Sequence, residues 1–372
     1  MPIRSNEDYD AALARQDAEA AKERARAERL WRRLQDVRDP AARRDLAVGD
    51  PDFWTWAFCE KLSLESAAAA EDDAGHAGEL ADLALELVSK APGDDNLRCR
   101  IQEYVWAHVS NARRARGDLA GAERAITRAQ EFFIAGTMGI LPSPIRRDPL
   151  FLIEAALLRD QGRLREALEK VKFGWGLVDK EAKIALFLED GRLHRWLGHP
   201  EKALWALSLA ARDASRTSDL RLLMRIEIEA GSALCDLGRH GEVKKLSAGI
   251  RRQAGRFPAE QARLLALEGR VAAGLGRLEE AEDALRKLRA DLPDGAAADF
   301  ALLSLEVAVL YASQGKTAEL KDLAATTQGL AGSRLSRGAA ASLKLFCRLA
   351  EQEKLTPQHV AQFAKDFPRG PF

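Results

Sequence analysis

The pattern of apolar and polar positions along the chain is helical. No segment shows the sustained alternation of apolar and polar residues that marks a half-buried strand. Instead, apolar helical stretches are separated by glycine and proline at intervals that suit helix ends. Alanine, leucine, arginine and glutamate dominate, which is typical of amphipathic helices. The sequence therefore predicts an all-α protein.

A short turn phrase built around glycine recurs along the chain, each time between two apolar helical stretches. Its glycines lie 36 to 45 residues apart. Glycine adopts the left-handed conformation that ends a helix at little cost, so each phrase predicts the turn of a helix hairpin. The glycines of this phrase are Gly117, Gly162, Gly198, Gly238, Gly276 and Gly315.

Two columns of mostly small residues accompany these glycines, seven positions before and five positions after each one. Antiparallel helices approach closely only where the facing side chains are small, so we expect the columns to mark the crossing inside each hairpin. Larger apolar residues nine positions after the glycine would fill the seam between hairpins. The first column is Ser110, Ala155, Gly191, Gly231, Gly269 and Ala308. The second is Ala122, Ala167, Ala203, Val243, Ala281 and Leu320. The seam residues include Ile126, Val171, Leu207 and Leu285.

This pattern resembles the tetratricopeptide (TPR) repeat over about residues 100–330. The first copy carries Trp106, Ser110, Gly117 and Ala122 at the spacing of that family. The resemblance implies antiparallel helix hairpins stacked into a right-handed superhelical solenoid. Because the family's usual period is about 34 residues, we expect longer helices or longer loops here.

Four parts follow from this organisation. We predict a charged N-terminal helical segment at 1–50, a divergent first hairpin at 51–98, the repeat array at 99–330 and capping helices at 331–372. In the N-terminal segment, both charge signs are interleaved and large apolar residues are sparse, so a solvated helix is expected, with coiled-coil pairing as the alternative.

The connection at 135–148 differs from the short turns. Its glycines and prolines predict a loop, either a surface insertion between repeats or a segment that reaches over the groove.

A closer resemblance rests on longer phrases, which span most of the chain from about residue 50. They are similar to the C-terminal TPR part of bacterial regulators that join an N-terminal helix-turn-helix domain to a TPR array. In such regulators the array receives a signal, a peptide or a partner protein. We expect no helix-turn-helix domain in this chain, so DNA binding is not implied. The phrases run over 52–57, 104–114, 270–277 and 307–311.

Charge and motifs exclude several classes of function. Lys plus Arg and Asp plus Glu are equal at 57 each, which disfavours binding to nucleic acid or anionic lipid. No signal core or membrane-spanning run is recognisable, so we expect a cytoplasmic protein.

The four cysteines are far apart, which fits reduced thiols in the core. We find no catalytic, nucleotide or metal-binding motif and expect no cofactor; the His194 and His199 pair lacks acidic or thiol companions at ligand spacing.

The family resemblance implies that the first helix of each hairpin lines a concave groove. The positions chosen by that analogy are mainly arginines, which bind carboxylates in a bidentate manner, and Asn111 resembles an asparagine that clamps peptide backbone or a terminal carboxylate. We therefore expect a basic groove that binds an acidic or C-terminal peptide segment. Alternatively, the arginines pair with neighbouring glutamates, such as Glu227 and Glu229 near Arg225. The predicted partner-binding residues are Asn111, Arg114, Arg159, Arg192, Arg195, Arg225, Arg263 and Arg270.

Two functions are compatible with these residues. The first is a non-enzymatic scaffold or adaptor whose groove captures a peptide or protein. The alternative is a regulatory module that senses a peptide or small molecule and changes shape. An enzyme is disfavoured because the arginine cluster has no matched base or nucleophile. Trp196 and Trp205 flank the Gly198 turn, and one of them is expected to be exposed as a contact residue.

Overall fold

The computed structural model is helical throughout the part of the chain that it describes, which confirms the predicted all-α class. It forms two compact units, unit 1 at 1–157 and unit 2 at 158–372. The described residues are 6–70, 72–136, 144–145, 148–176, 180–215, 217, 219–243, 252, 255–290, 297–329 and 337–367.

Unit 1 is built from helices that pack side by side in chain order. The α3 helix packs against α1, α4 and α5, and α5 packs along α6. The last helix of the unit, α7, continues to residue 160. The helices are α1 Asn6–Gln35, α2 Pro40–Gly49, α3 Trp56–Ala69, α4 Ala74–Val88, α5 Asp95–Ala115, α6 Leu119–Ala135 and α7 Asp148–Asp160.

Unit 2 continues with the same kind of helix pair. The first helix α12 packs against its own partner α13 and against α14, the first helix of the next pair. Residues 240–243 are helical as well. The bounded helices are α8 Leu164–Gly174, α9 Lys180–Trp196, α10 Pro200–Ala214, α11 Leu220–Asp236, α12 Pro258–Gly274, α13 Leu278–Ala290, α14 Ala297–Ser313, α15 Thr317–Gln328, α16 Arg337–Glu351 and α17 Pro357–Asp366.

The turn glycines predicted from the sequence all adopt the left-handed conformation. Their φ angles lie between 69° and 81°, a region that other residues enter only with strain. At the first of these turns, Asp118 then caps α6 by accepting a hydrogen bond from the Gly121 backbone N–H at 2.8 Å. The hairpin turns therefore lie at the positions predicted from the sequence.

The small-residue columns also lie where they were predicted. Both columns are buried, and Ser110 donates a hydrogen bond to the Ala122 carbonyl at 2.9 Å across the α5–α6 crossing. In unit 2, a Cβ built on Gly191 would stand 2.5 Å from Leu207 Cγ. Leu207 thus lies at the crossing of its own hairpin and also joins the buried cluster that contains Ile226 of the next hairpin, the seam where we expected it.

The N-terminal segment is not the solvated helix that the sequence suggested. The second half of α1 places Leu30, Trp31 and Leu34 in the hydrophobic core of unit 1, together with Phe53 and Phe58. Its charged positions cover the outer face, and Arg24 bonds Glu60 of α3 at 2.6 Å. Tertiary packing within the chain, and not pairing with a partner helix, buries these apolar residues.

The C-terminal helices end unit 2. Thr356 caps α17 by accepting a hydrogen bond from the His359 N–H at 3.2 Å, and Pro357 opens the helix. The α17 helix packs on α14, and Phe346 of α16 contacts Phe363 edge to face. Most of the predicted loop at 135–148 lies outside the described residues. Among the described helices, none is long and apolar enough to cross a membrane.

Candidate functional site: an arginine–carboxylate ladder in unit 2

Four arginines and four carboxylates form a continuous chain of ion pairs along unit 2, which we call the ladder. Its members come from the first helices of successive hairpins, starting at the end of α7 and passing through α9, α11, α12 and α14. In order, the ladder consists of Arg159, Glu189, Arg192, Arg195, Glu229, Asp236, Arg270 and Glu306.

The ladder begins with Arg159 near the C-terminus of α7. Its Nη1 donates to both carboxylate oxygens of Glu189, at 2.8 and 2.7 Å. Its Nε donates to Asp160 at 3.0 Å, and the guanidinium lies 5.1 Å from the centre of the Trp196 ring. Burial favours the neutral form, but the two carboxylates outweigh it and raise the pKa of Arg159. This arginine is held on several sides.

Glu229 is the central carboxylate and joins α9 to α11. Arg192 Nε donates to its Oε1 at 2.9 Å, and Arg195 Nη1 donates to its Oε2 at 2.5 Å. Burial alone would raise the pKa of Glu229, but the positive charges of Arg195, Arg192 and Arg263 lower it to about 2. Glu229 is therefore ionised at any physiological pH.

The ladder continues from α11 to α14 through Arg270. Arg270 Nη2 donates to Asp236 at 2.9 Å, and Arg270 Nε donates to Glu306 at 2.9 Å. Asp236 also lies 3.3 Å from Arg195 Nε, so it connects this part to Glu229. The Arg270 and Asp236 side chains are 3% and 1% exposed. Water and salt therefore screen the attraction between these two charges only weakly.

A branch beside the ladder joins α11 to α12. The Nε atoms of Arg221 and Arg225 donate to the same Glu260 oxygen, at 2.9 and 2.7 Å. Glu260 is fully buried, whereas the two arginine side chains keep 19% and 21% of their surface. The arginine side chains of the branch therefore remain partly exposed, although Nη2 of Arg221 is buried.

The ladder has consequences for the fold because its charges are balanced and buried. Desolvation opposes each pair, so such ion pairs add little net stability compared with apolar residues of the same size. Removing one partner is costly, however, because it strands a buried charge. Apart from Glu189–Arg192, which lies within α9, the rungs join first helices of neighbouring hairpins, so a shift of one hairpin against the next would strand several charges at once.

The predicted site residues fall into both units. Asn111 and Arg114 lie on α5 of unit 1, where Asn111 Oδ1 accepts a hydrogen bond from Arg114 Nη2 at 2.9 Å. The other six lie in unit 2: four are ladder members, Arg225 belongs to the branch, and Arg263 acts electrostatically on Glu229 and Asp299. The ladder arginines and Arg225 are matched by carboxylates. The role of all eight in partner binding stays a prediction.

The carboxylate partners were not identified from the sequence. We considered Glu227 and Glu229 as partners of Arg225, but Arg225 bonds Glu260 of the next first helix. Glu229 instead bonds two arginines of the preceding first helix. A signal was present, since the glutamates and arginines recur at the spacing of one repeat. Reading it requires knowing that first helices of neighbouring hairpins lie side by side.

Other candidate groups have simpler surroundings. His194 lies one turn from Asp190, with 3.7 Å between Nε2 and Oδ1, and the described residues contain no cluster of three or more His, Cys, Asp or Glu that could hold a metal. Trp196 is covered by Arg159. Trp205, by contrast, is 58% exposed on α10, so one of the two tryptophans that flank the Gly198 turn is available for contact.

The fold and the repeated hairpins define a TPR-like helical-repeat protein. Two solved structures share this architecture. The Rap protein complexed with competence and sporulation factor matches with a TM-score of 0.62 at 12% sequence identity, over 83% of this chain and 85% of that one. NprR in complex with its cognate peptide NprX matches with a TM-score of 0.55 at 13% identity, over 79% of this chain and 84% of that one. No family model matches the sequence, and none of the curated proteins matches it either.

Proposed function

We propose that this protein is a non-enzymatic scaffold or adaptor that binds a peptide or protein segment on the first-helix face of unit 2. The observation that carries the proposal is the partial exposure of arginines along that face. Arg192, Arg221 and Arg225 keep 14%, 19% and 21% of their side-chain surface. Each bonds a glutamate through Nε. A ligand carboxylate can approach these partly exposed arginine side chains from solvent.

The ligand that fits this face carries carboxylates. Arginine forks bind carboxylates in a fixed geometry, and arginines of this face already bind the carboxylates of Glu229 and Glu260. We therefore propose an acidic or C-terminal peptide segment as the partner. The two solved structures with this fold are complexes, one with competence and sporulation factor and one with a cognate peptide, and the second supports a peptide as the class of ligand. We place the protein in the cytoplasm.

A peptide-binding measurement tests this proposal. A pool of synthetic peptides with free or amidated C-termini is passed over the immobilised chain, and the retained peptides are identified by mass spectrometry. We expect retention of acidic peptides and of peptides with a free carboxylate, and we expect Arg192→Gln to reduce it about tenfold, the size of one charged hydrogen bond.

The matched control is Arg277→Gln. Arg277 directly precedes α13 and is exposed. Its Nη1 lies 3.5 Å from a carboxylate oxygen of Glu280. Retention by this variant is expected to equal that of the native chain. Equal retention by Arg192→Gln and Arg277→Gln, with both variants folded by circular dichroism, would overturn the proposal.

The continuity of the ladder favours a second candidate, a regulatory module that senses a peptide. A ligand carboxylate that displaces Glu229 would release contacts on α9 and α11 together, and the change would pass to Arg270 through Asp236. A sensor is expected to change its small-angle scattering profile when a retained peptide is added, whereas a passive scaffold is expected to keep it.

A further inference from the structure

Unit 1 contains a cavity of about 690 Å³ between α1, α2 and α4. Its floor is apolar and comes from the core of the unit. Trp31 and Leu34 of α1 and Leu80 and Leu83 of α4 all line it and are all buried. The volume is within the range of cavities that hold small organic ligands. This cavity lies apart in sequence from the ladder, which begins at Arg159.

The short α2 helix explains why the space is open. Asp39 caps α2 by accepting a hydrogen bond from the Ala42 N–H at 2.9 Å, and Pro40 starts the helix. Ala47, in its second half, is its one buried residue. The first half presents Pro40, Ala41 and Arg43 to the cavity without a large apolar side chain to fill it. The core beneath therefore keeps an apolar wall that no side chain of α2 covers.

Some of the charged groups around the cavity already have an oppositely charged neighbour or are exposed to water. Arg44 pairs with Glu86 at 2.8 Å, and His76 lies 3.6 Å from Glu79. Asp82 is exposed at the rim, where water screens its charge.

Arg43 is different. Its Nε donates to the Val37 carbonyl, which fixes the guanidinium plane, and its two terminal nitrogens make no hydrogen bond to the described residues. Arg43 is also half-buried. An end-on fork of two N–H donors thus stands at an apolar cavity, which is the geometry that binds a carboxylate.

The geometry points to a binding site for a small amphipathic acid, with its apolar body on Trp31, Leu80 and Leu83 and its carboxylate on Arg43. This function is separate from peptide binding in unit 2. Burial of the apolar body supplies most of the affinity. Arg43 supplies the preference for an acid over a neutral or basic molecule.

Displacement of a fluorescent probe tests the site in the full chain. Anilinonaphthalene sulfonate, an aromatic anion that fluoresces in apolar surroundings, is titrated onto the protein and then displaced by octanoate, octanol or octylammonium. We expect octanoate to displace it about tenfold more strongly than octanol, because of the charged hydrogen bonds to Arg43, with octylammonium weakest. In Arg43→Gln the advantage of octanoate should disappear, whereas Arg38→Gln, at an exposed arginine outside the cavity, should keep it.

Two tryptophan variants locate the site. Ala41 is exposed and lines the cavity, so Ala41→Trp should fill it and abolish saturable probe binding. Ala42 is also exposed but does not line the cavity, so Ala42→Trp should bind the probe like the native chain. Equal binding by the two variants, or equal displacement by octanoate and octanol in the native chain, would overturn the proposal. A change of sedimentation mass in Ala41→Trp alone would also overturn it, since the cavity would then be a contact between copies of the chain.

Discussion

The two units bring their helices together in different ways. In unit 1 the crossings use serine: Ser66 donates to the Ala77 carbonyl at 2.7 Å, and Ser110 donates to the Ala122 carbonyl at 2.9 Å. In unit 2, a Cβ on Gly191 would stand 2.5 Å from Leu207 of its own hairpin. A Cβ on Gly231 or Gly269 would stand 2.7 or 2.6 Å from a leucine on the first helix of the next hairpin. The first solution adds a hydrogen bond between helices, and the second makes room for a large apolar side chain.

The polar contacts between helices differ as well. In unit 1, Arg24 of α1 bonds Glu60 of α3, but 38% of the arginine side chain is exposed. The buried Arg100–Glu103 pair lies within α5, and Arg100 stacks over the Phe133 ring of α6. In unit 2, Arg270 and Asp236 join two helices while almost fully buried. The comparison indicates that unit 2 depends on buried charges for the register of its hairpins and that unit 1 depends mainly on its apolar core.

The strongest test of this difference is Arg270→Ala. The substitution leaves Asp236 and Glu306 without their shared partner, and loss of one member of a buried ion pair costs about 3–5 kcal/mol. We expect that loss in the free energy of unfolding of unit 2, measured by urea titration followed by circular dichroism. Arg277→Ala, which removes an exposed pair, should cost about 0–1 kcal/mol. Equal effects of the two substitutions would mean that the ladder does not hold the helices together.

A second test concerns the glycine crossings. Gly191→Val places side-chain atoms where Leu207 lies, so we expect a loss of about 1–3 kcal/mol from overpacking. Gly49→Ala is the control, because a Cβ there meets nothing within 4 Å. Urea titration of both variants checks the result, and an unchanged unfolding midpoint for Gly191→Val would show that the crossing has spare room.

We expect substitution at the serine crossing to reduce stability less than substitution at the glycine crossing. Ser110→Ala keeps the size of the residue and removes only the hydrogen bond to the Ala122 carbonyl, so we expect a loss of about 1 kcal/mol in unit 1. Hydrogen exchange of α5 and α6 measures it. A loss as large as that of Gly191→Val would remove the distinction between the two kinds of crossing.

Acid should also change the stability of the two units in opposite directions. Burial lowers the pKa of His108 in unit 1 to about 4, below its unfolded value, so its contribution to stability is lost as the pH falls from about 6.5. Burial raises the pKa of Asp190 in unit 2 to about 6, above its unfolded value, so its contribution is present at acidic pH and lost as the pH rises through 6.

Between pH 7 and pH 5, we therefore expect unit 1 to lose and unit 2 to gain about 1–2 kcal/mol from these two groups. Hydrogen exchange of α5 and α9 at both pH values separates the units. The variants His108→Leu and Asp190→Asn should each remove the response of one unit only. A response of both helices in the same direction would contradict the assigned pKa shifts.

Much of the fold follows from local rules that a single sequence displays. A left-handed turn needs glycine and a close crossing needs small residues, so Gly117, Gly198 and Ser110 could be interpreted without a structure. Cap residues are equally local, as Thr356 and Pro357 demonstrate.

The parts that sequence reasoning missed depend on contacts between distant elements. Glu229 and Glu260 could not be assigned to their arginines because the pairs join different hairpins. The prediction of a solvated N-terminal helix was wrong because Trp31 and Leu34 pack against helices later in the chain. The cavity in unit 1 depends on how α2 is placed, which no local pattern specifies.

A double-mutant cycle on Asp236 and Arg270 tests most directly whether buried ion pairs couple neighbouring hairpins of unit 2. The free energy of unfolding is measured for the native chain, Asp236→Ala, Arg270→Ala and the double variant. We predict a coupling energy of about 2 kcal/mol, in the range found for residues in direct contact within one network. Single-variant losses that add to the double-variant loss within about 0.5 kcal/mol would contradict the account.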